Sequence, residues 1–186
     1  MSPVPSRHAR PVEDGSEKIH LIQGEFRVAK NPNVVLTTTL GSCVATCLRD
    51  PVAGVGGMNH FLLPHGDEYS GSDAVRYGAY AMEVLINDLM HAGALHERLE
   101  ARLFGGARLS DGLPDIGSQN VDFAERFLRD EGIPLLGGSV RGSHARRIQF
   151  WPVSGRARQL ALTENAIFEA EYRKPRAPVT GSVELF

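Results

Sequence analysis

The sequence predicts an α/β (α+β) sandwich, with largely antiparallel β-sheets and two main helices. Three observations predict it. Short runs rich in β-branched and aromatic residues, each bounded by Gly or Pro, recur along the chain and read as strands. Two longer stretches carry apolar residues at helical spacing instead. A length of 186 residues with 42% hydrophobic content suits one domain of this kind with a core of useful size.

Residues 1–17 combine Pro, Ser, Arg, Glu and Asp with almost no apolar periodicity, so a flexible N-terminal tail is expected there. A single folded domain is expected over 18–172. Residues 173–186, with Pro175 and Pro178, are expected as a C-terminal extension lying over the surface. Within the domain, Ile19 to Ala29 reads as a strand followed by the turn Lys30-Asn31-Pro32-Asn33, and Val34 to Leu40 as a second strand. Gly41-Ser42 breaks it. Cys43 to Leu48 and Val55 to Leu63 read as a strand pair joined around Asp50-Pro51. Ser72 to His91 is the clearest helix, with Ala74, Tyr77, Ala81, Val84, Leu85 and Leu89 near helical spacing, Ser72 or Asp73 as cap and Gly93 as stop. Leu99 to Phe104 is a strand ending in Gly105-Gly106. Ser118 to Asp130 is the second helix, and Ile133 to Val140, Arg147 to Trp151 and Ala157 to Leu162 are three further strands.

Charge and composition exclude several classes of function. With 20 basic and 22 acidic side chains the net charge is -2, which gives no electrostatic reason to expect nucleic acid or an anionic membrane as partner. No run approaches the eighteen or so apolar residues that span a bilayer, so no membrane insertion is expected. The N-terminus lacks the apolar core of a secretory signal, so a cytoplasmic location is expected. The two cysteines, Cys43 and Cys47, are too few for a disulfide framework and are expected as free thiols.

The segment from Thr37 to Cys43 carries the strongest chemical signal. Gly41 and Ser42 leave the thiol of Cys43 accessible and let backbone amides approach a developing oxyanion, which needs donors about 3 Å away. His60 lies seventeen residues later. If Cys43–Leu48 and Val55–Leu63 pair as antiparallel neighbours, a turn centred between residues 51 and 52 brings thiol and imidazole together at one end. A cysteine and histidine in hydrogen-bond reach are the minimum apparatus for nucleophilic acyl chemistry. Among threonines that could orient the imidazole, Thr37 and Thr39 share one strand face and Thr38 the other, and the pattern does not choose between Thr37 and Thr39.

The plainer readings have their own weight. Most strand cysteines are buried packing residues, and Cys47, in the apolar run Val44 to Leu48, reads as one. Taken alone, His60 is more often a core histidine than a base, His65 reads as loop, and His8, His20, His91, His96 and His144 have no partner at useful spacing. A zinc site from Cys43, Cys47, His60 and His65 fails because strand residues four apart lie about 13 Å from each other. Gly105-Gly106 lacks the residues of a phosphate loop.

The blocks Leu40-Gly41-Ser42-Cys43-Val44-Ala45, Asp50-Pro51 and Gly56-Gly57-Met58-Asn59-His60-Phe61-Leu62-Leu63-Pro64 resemble the CheD family of chemoreceptor glutamine deamidases. Leu103-Phe104-Gly105-Gly106-Ala107, Ile116-Gly117 with Asn120, and Glu131-Gly132-Ile133-Pro134 extend the resemblance from about His20 to Leu162. It implies Cys43 as nucleophile, His60 as base and Thr37, six residues before the cysteine, as the third member. It also implies backbone support for the oxyanion at Gly41 and Ser42, no cofactor, no metal, and a sandwich distantly similar to the catalytic domain of cytotoxic necrotizing factor toxins. Chemoreceptor cytoplasmic helices would be substrate and a CheC-like phosphatase a further partner. The stretch Arg141 to Arg147 departs from the family pattern, which removes support for contacts borrowed from that loop. An adaptor of the same fold that only binds, and a cysteine hydrolase for another acyl substrate, are the competing readings.

Overall fold

The computed structural model describes residues 15–64, 71–109 and 114–162. The C-terminal extension expected over 173–186, residues 1–14 of the expected tail, and His65 lie outside them. Glu17, expected in the tail, already pairs with Val34.

The stretch expected as one strand, Ile19 to Ala29, is two. β1 (Glu17–His20) and β2 (Phe26–Ala29) belong to different sheets. The chain changes sheet in a turn at Ile22 to Glu25, closed by the Glu25 N–H on the Ile22 carbonyl at 3.1 Å. Gly24 makes it with φ of 89°, a backbone conformation that side-chain-bearing residues rarely adopt.

The other elements follow the expected order: β3 (Val34–Leu40), β4 (Val44–Asp50), β5 (Val55–Asn59), α1 (Gly71–His91), β6 (Glu100–Gly105), α2 (Ile116–Asp130), β7 (Leu135–Val140), β8 (Arg146–Trp151) and β9 (Arg156–Ala161). One sheet runs β1-β3-β8-β9 and the other β2-β5-β4-β6-β7. Among the described residues only β1 with β3 and β6 with β7 pair parallel, so the sandwich is largely antiparallel.

Strand alternation divides the apolar residues between two interfaces. Ala45, Cys47, Met58 and Phe104 meet Leu36, Leu40, Ile148 and Phe150 between the sheets. Val44, Leu48, Val55, Phe61 and Leu103 face the helices, where α1 buries Met82, Leu85, Ile86 and Leu89 and α2 buries Val121, Ala124 and Leu128. Leu85 and Leu89 of the expected stripe are buried, whereas Tyr77, expected on it, is exposed.

The β4–β5 hairpin is shifted by two residues from the expected register. Asp50 pairs with Val55 and Cys47 with Met58, and the turn spans 51–54. Asp50 fixes it. Its buried carboxylate accepts the N–H groups of Val52 and Ala53 within the turn, the Leu95 N–H, and the Arg98 guanidinium. Burial alone would raise its pKa. The N–H donors of Ala53 and Leu95, then Arg98 and Val52, outweigh burial and hold it at about 2.

Candidate active site

β3 ends at Leu40, and Gly41-Ser42 turns the chain so that Cys43 stands just before β4 rather than inside it. Cys43 takes part in no disulfide and is half-buried, while Cys47 is buried. All three carbonyls of the turn are held from the protein interior. The Gly41 carbonyl accepts the Ala107 N–H at 2.8 Å, the Ser42 carbonyl accepts Asn120 Nδ2 at 2.8 Å, and the Cys43 carbonyl accepts the Gly106 N–H at 2.8 Å. Asn120, fully buried on α2, also accepts the Leu63 N–H at 3.0 Å, so one side chain ties the cysteine turn to the segment after His60. Gly105 explains the close fit of β6 against the cysteine: at φ 104°, a Cβ there would collide with the Cys43 carbonyl. The Gly105-Gly106 pair is therefore a cradle for backbone, and Asn120, which the sequence offers only as one matched polar residue, is its clamp.

His60 follows β5. Alternation sends the neighbouring Asn59 towards α1, where its amide donates to the Ala81 carbonyl, and sends the imidazole towards β3. His60 Nδ1 lies 2.8 Å from Thr38 Oγ1, and the Thr38 hydroxyl donates to the Leu21 carbonyl, also at 2.8 Å. A carbonyl can only accept, so the single hydroxyl proton is spent on Leu21, and the oxygen facing His60 must accept. Nδ1 therefore carries the ring proton. Nε2 carries the lone pair, and it is buried with no hydrogen-bond partner among the described residues. Burial lowers the pKa of His60 to about 4; the Leu21 carbonyl and Glu25 oppose that shift and His20 adds to it. The ring is a neutral base at ordinary pH.

These contacts correct the sequence reading in two places. Thr38, not Thr37, meets the imidazole. Thr38 points between the sheets with Leu36 and Leu40, whereas Thr37 pairs with Gln149 on the outer face and reaches the site only through its carbonyl, which accepts the Leu21 N–H. The second correction is register. Val44 bridges Phe61 through a reciprocal pair of 2.9 Å hydrogen bonds, so Ala45 occupies the position opposite His60. Cys43 lies one diagonal step further along, just outside the strand, and among the described residues no hydrogen bond joins it to His60 Nε2.

Two further features border the thiol. Gln23, exposed in the turn between β1 and β2, places Oε1 3.6 Å from Cys43 Sγ. That turn is fastened to His60: the Gly24 N–H donates to the His60 carbonyl at 2.7 Å, and the His60 N–H donates to the Glu25 carbonyl at 2.9 Å. Two residues opposite one, with glycine at positive φ, is the pattern of a bulge, a device that re-aims side chains beside active sites. Beyond the turn a cleft of about 190 Å³ runs between Phe26 on β2 and Tyr77, Tyr80 and Val84 on α1.

The loop at 141–147 is held by its own arginines. Arg146 donates to the carbonyls of Ser139 and Arg141, and Arg141, at φ 65°, pairs with Asp122 and Glu125 on α2.

Comparison with known proteins decides the family. The model of the family described as CheD chemotactic sensory transduction matches residues 62–160. A curated protein from Caulobacter vibrioides, named "Probable chemoreceptor glutamine deamidase CheD", is 59% identical over 91% of this chain and 93% of its own length. The chain belongs to the CheD family. A CheD of the same name from Acidiphilium cryptum is 58% identical over the full length of both chains, so that alignment includes the segment with Cys43 and His60. Among solved structures, the Bacillus licheniformis hypothetical protein YfiH is similar at 15% identity and a TM-score of 0.40, covering 61% of this chain and 49% of that one.

Proposed function

We propose that this CheD-family chain is a cytoplasmic deamidase that converts glutamine side chains of chemoreceptors to glutamate, with Cys43 as nucleophile, His60 as base and Thr38 as the group that orients the base. The state of His60 carries the proposal. A neutral imidazole whose Nδ1–H is committed to Thr38, and whose Nε2 lone pair is buried without a partner among the described residues, is a base awaiting a proton donor. Cys43 stands on the same face of the same strand pair. The names of the CheD relatives support the glutamine substrate and the receptor as its bearer.

In this reading His60 Nε2 takes the thiol proton as Sγ attacks the carboxamide carbon of the target glutamine. The oxygen of the tetrahedral adduct becomes negative and is met by N–H groups of the 41–43 turn, whose carbonyls are all engaged elsewhere. His60 returns its proton to the departing nitrogen, the C–N bond breaks and ammonia leaves, giving a thioester on Cys43. Water, deprotonated by His60, attacks the thioester, and the C–S bond breaks to release glutamate and restore the thiol. The net change is one neutral carboxamide and one water converted to carboxylate and ammonium. The apolar cleft beside His60 offers surface to receptor residues flanking the glutamine. A binding-only adaptor would have no use for an unpartnered buried imidazole, which costs stability.

Incubation with a receptor cytoplasmic fragment tests the proposal. A mass gain of about 1 Da at particular glutamines, absent with Cys43→Ala, is expected for the thioester route. Deamidation by the alanine variant would remove Cys43 from the mechanism.

A further inference from the structure

The carboxamide nearest the thiol belongs to the protein itself. Gln23 Oε1 lies 3.6 Å from Cys43 Sγ, in the space a target glutamine must enter if its reacting carbon is to come within about 3.5 Å of the sulfur. We propose that Gln23 is an intramolecular stand-in for the substrate: its carboxamide occupies the substrate's place at Cys43 and must swing away before a receptor glutamine can react. This rests on Cys43 being the nucleophile.

Three observations support it. The first is chemical identity, since the group at the thiol is the one the enzyme transforms. The second is how Gln23 is held. Ile22 donates its N–H to the Glu25 carboxylate at 2.9 Å, Glu25 closes the turn, and both Gly24 and Glu25 are bonded to the backbone of His60. The backbone under Gln23 is thereby fixed to the strand that carries the base. Its side chain is exposed and its terminal torsion soft, so it can leave into solvent without disturbing that frame. The third is orientation. The oxygen, not the carbon, faces the sulfur, which is the geometry of a thiol donating a hydrogen bond to a resting carbonyl. Attack would require the carbon at the sulfur and the oxygen turned towards backbone donors. Gln23 therefore occupies the place without being consumed.

An internal occupant lowers apparent substrate affinity by the fraction of time the place is free. It sets a threshold: a glutamine held by surrounding contacts displaces Gln23, and a loosely presented one does not. Gln23 would thus help restrict the enzyme to glutamines in a docked segment.

Alkylation of the full-length protein by iodoacetamide reads the occupancy of the thiol directly, because Cys47 is buried and Cys43 is not. Gln23→Ala should alkylate at Cys43 about three- to tenfold faster, and its KM for a receptor fragment should fall by a similar factor, as expected if the place is occupied for most of the time. Gln23→Glu, which keeps the shape, should alkylate no faster than wild type. An unchanged alkylation rate in Gln23→Ala, or a raised KM, would overturn the proposal; the latter would make Gln23 a substrate-binding group. So would a Cys43-dependent gain of about 1 Da at Gln23 itself, since Gln23 would then be consumed by the thioester route. Loss of the parent reading is told apart by a separate result, deamidation surviving Cys43→Ala, because alkylation reports access to the thiol whether or not it is the nucleophile.

Discussion

Cys43 and Cys47 are four residues apart and share a strand face, yet every influence on their reactivity differs. Cys47 lies inside β4, between Met58 on one neighbouring strand and Arg102 on the other. It is packed with Ala45, Met58, Phe104 and Phe150, and burial pushes its thiol well above the usual range, with Arg102 opposing only in part. Cys43 stands where β3 has ended and β4 has not begun, with interior donors on the carbonyls around it and Gln23 at its sulfur. The residue type is common to both. What separates an inert thiol from a candidate nucleophile is a strand end, which frees one side of the residue for chemistry while the backbone stays anchored.

The largest expected effect would break that contrast. Cys43→Ala should reduce deamidation roughly 10⁴-fold or more, on the scale seen when a nucleophile is removed, whereas Cys47→Ala should remain active. Equal losses in the two variants, followed as mass gain on a receptor fragment, would mean that packing and not chemistry explains Cys43.

The next effect separates two threonines. Thr38→Val removes the oxygen that accepts from His60 Nδ1 and frees the ring to take the other tautomer; kcat should fall about 10²-fold. It also leaves the Leu21 carbonyl without its hydroxyl donor, at a cost of about 1 kcal/mol or somewhat more. Thr37→Val keeps a β-branched residue on the outer face and should change kcat little. If Thr37→Val were the damaging change, the orienting contact to His60 would be misassigned.

This pair also shows where the sequence was legible and where it was not. β3 is read to the residue, because a run of β-branched side chains states its own extent. The placing of Cys43 and His60 is legible only in part: hairpin arithmetic sets the two opposite each other, and a two-residue slip sets Ala45 there instead, with Cys43 a diagonal step away. The threonine contact is not: alternation tells Thr38 from Thr37 and Thr39 but not which face meets the imidazole, and the family resemblance points to Thr37, on the face away from it. Asn120 and Gln23 were out of reach for another reason. Their partners, Ser42 at 78 residues' separation and Cys43 at 20, meet only once α2 and the β1–β2 turn have folded onto the strands. The break inside Ile19 to Ala29 had a local signal in Gly24, but its meaning, a change of sheet, is tertiary.

A third effect concerns pH. The pKa of His60 is about 4 in the folded protein against 6.5 when unfolded. Between those values the unfolded chain binds more protons, so stability is intact above about 6.5 and declines as pH falls towards 4, by up to about 3 kcal/mol. Urea midpoints at pH 7 and pH 4.5 should differ by more in wild type than in His60→Leu, which lacks the titrating ring. The acid limb of kcat/KM should likewise fall near pH 4, well below the ordinary histidine range. A limb near 6.5 would mean that the ring is far wetter than its burial indicates.

The smallest effect completes the contrast by reversing it. In stability rather than activity, Cys47 should be the costly residue. Cys47 is 1% exposed in the layer between the sheets, so Cys47→Ala leaves a small void and forfeits buried apolar contact, about 1 kcal/mol. Cys43→Ala removes a half-exposed atom at a strand end and should cost no more than about 0.5 kcal/mol. Chemical denaturation at pH 7 measures both, and the backbone clamps on Gly41, Ser42 and Cys43 remain in either variant because they use main-chain carbonyls. Opposite rankings of the two cysteines in the two assays are what a division of labour along one strand requires. If Cys43→Ala proved the more destabilising, its thiol would be holding the fold, and a half-buried position would no longer distinguish a reactive cysteine from a structural one.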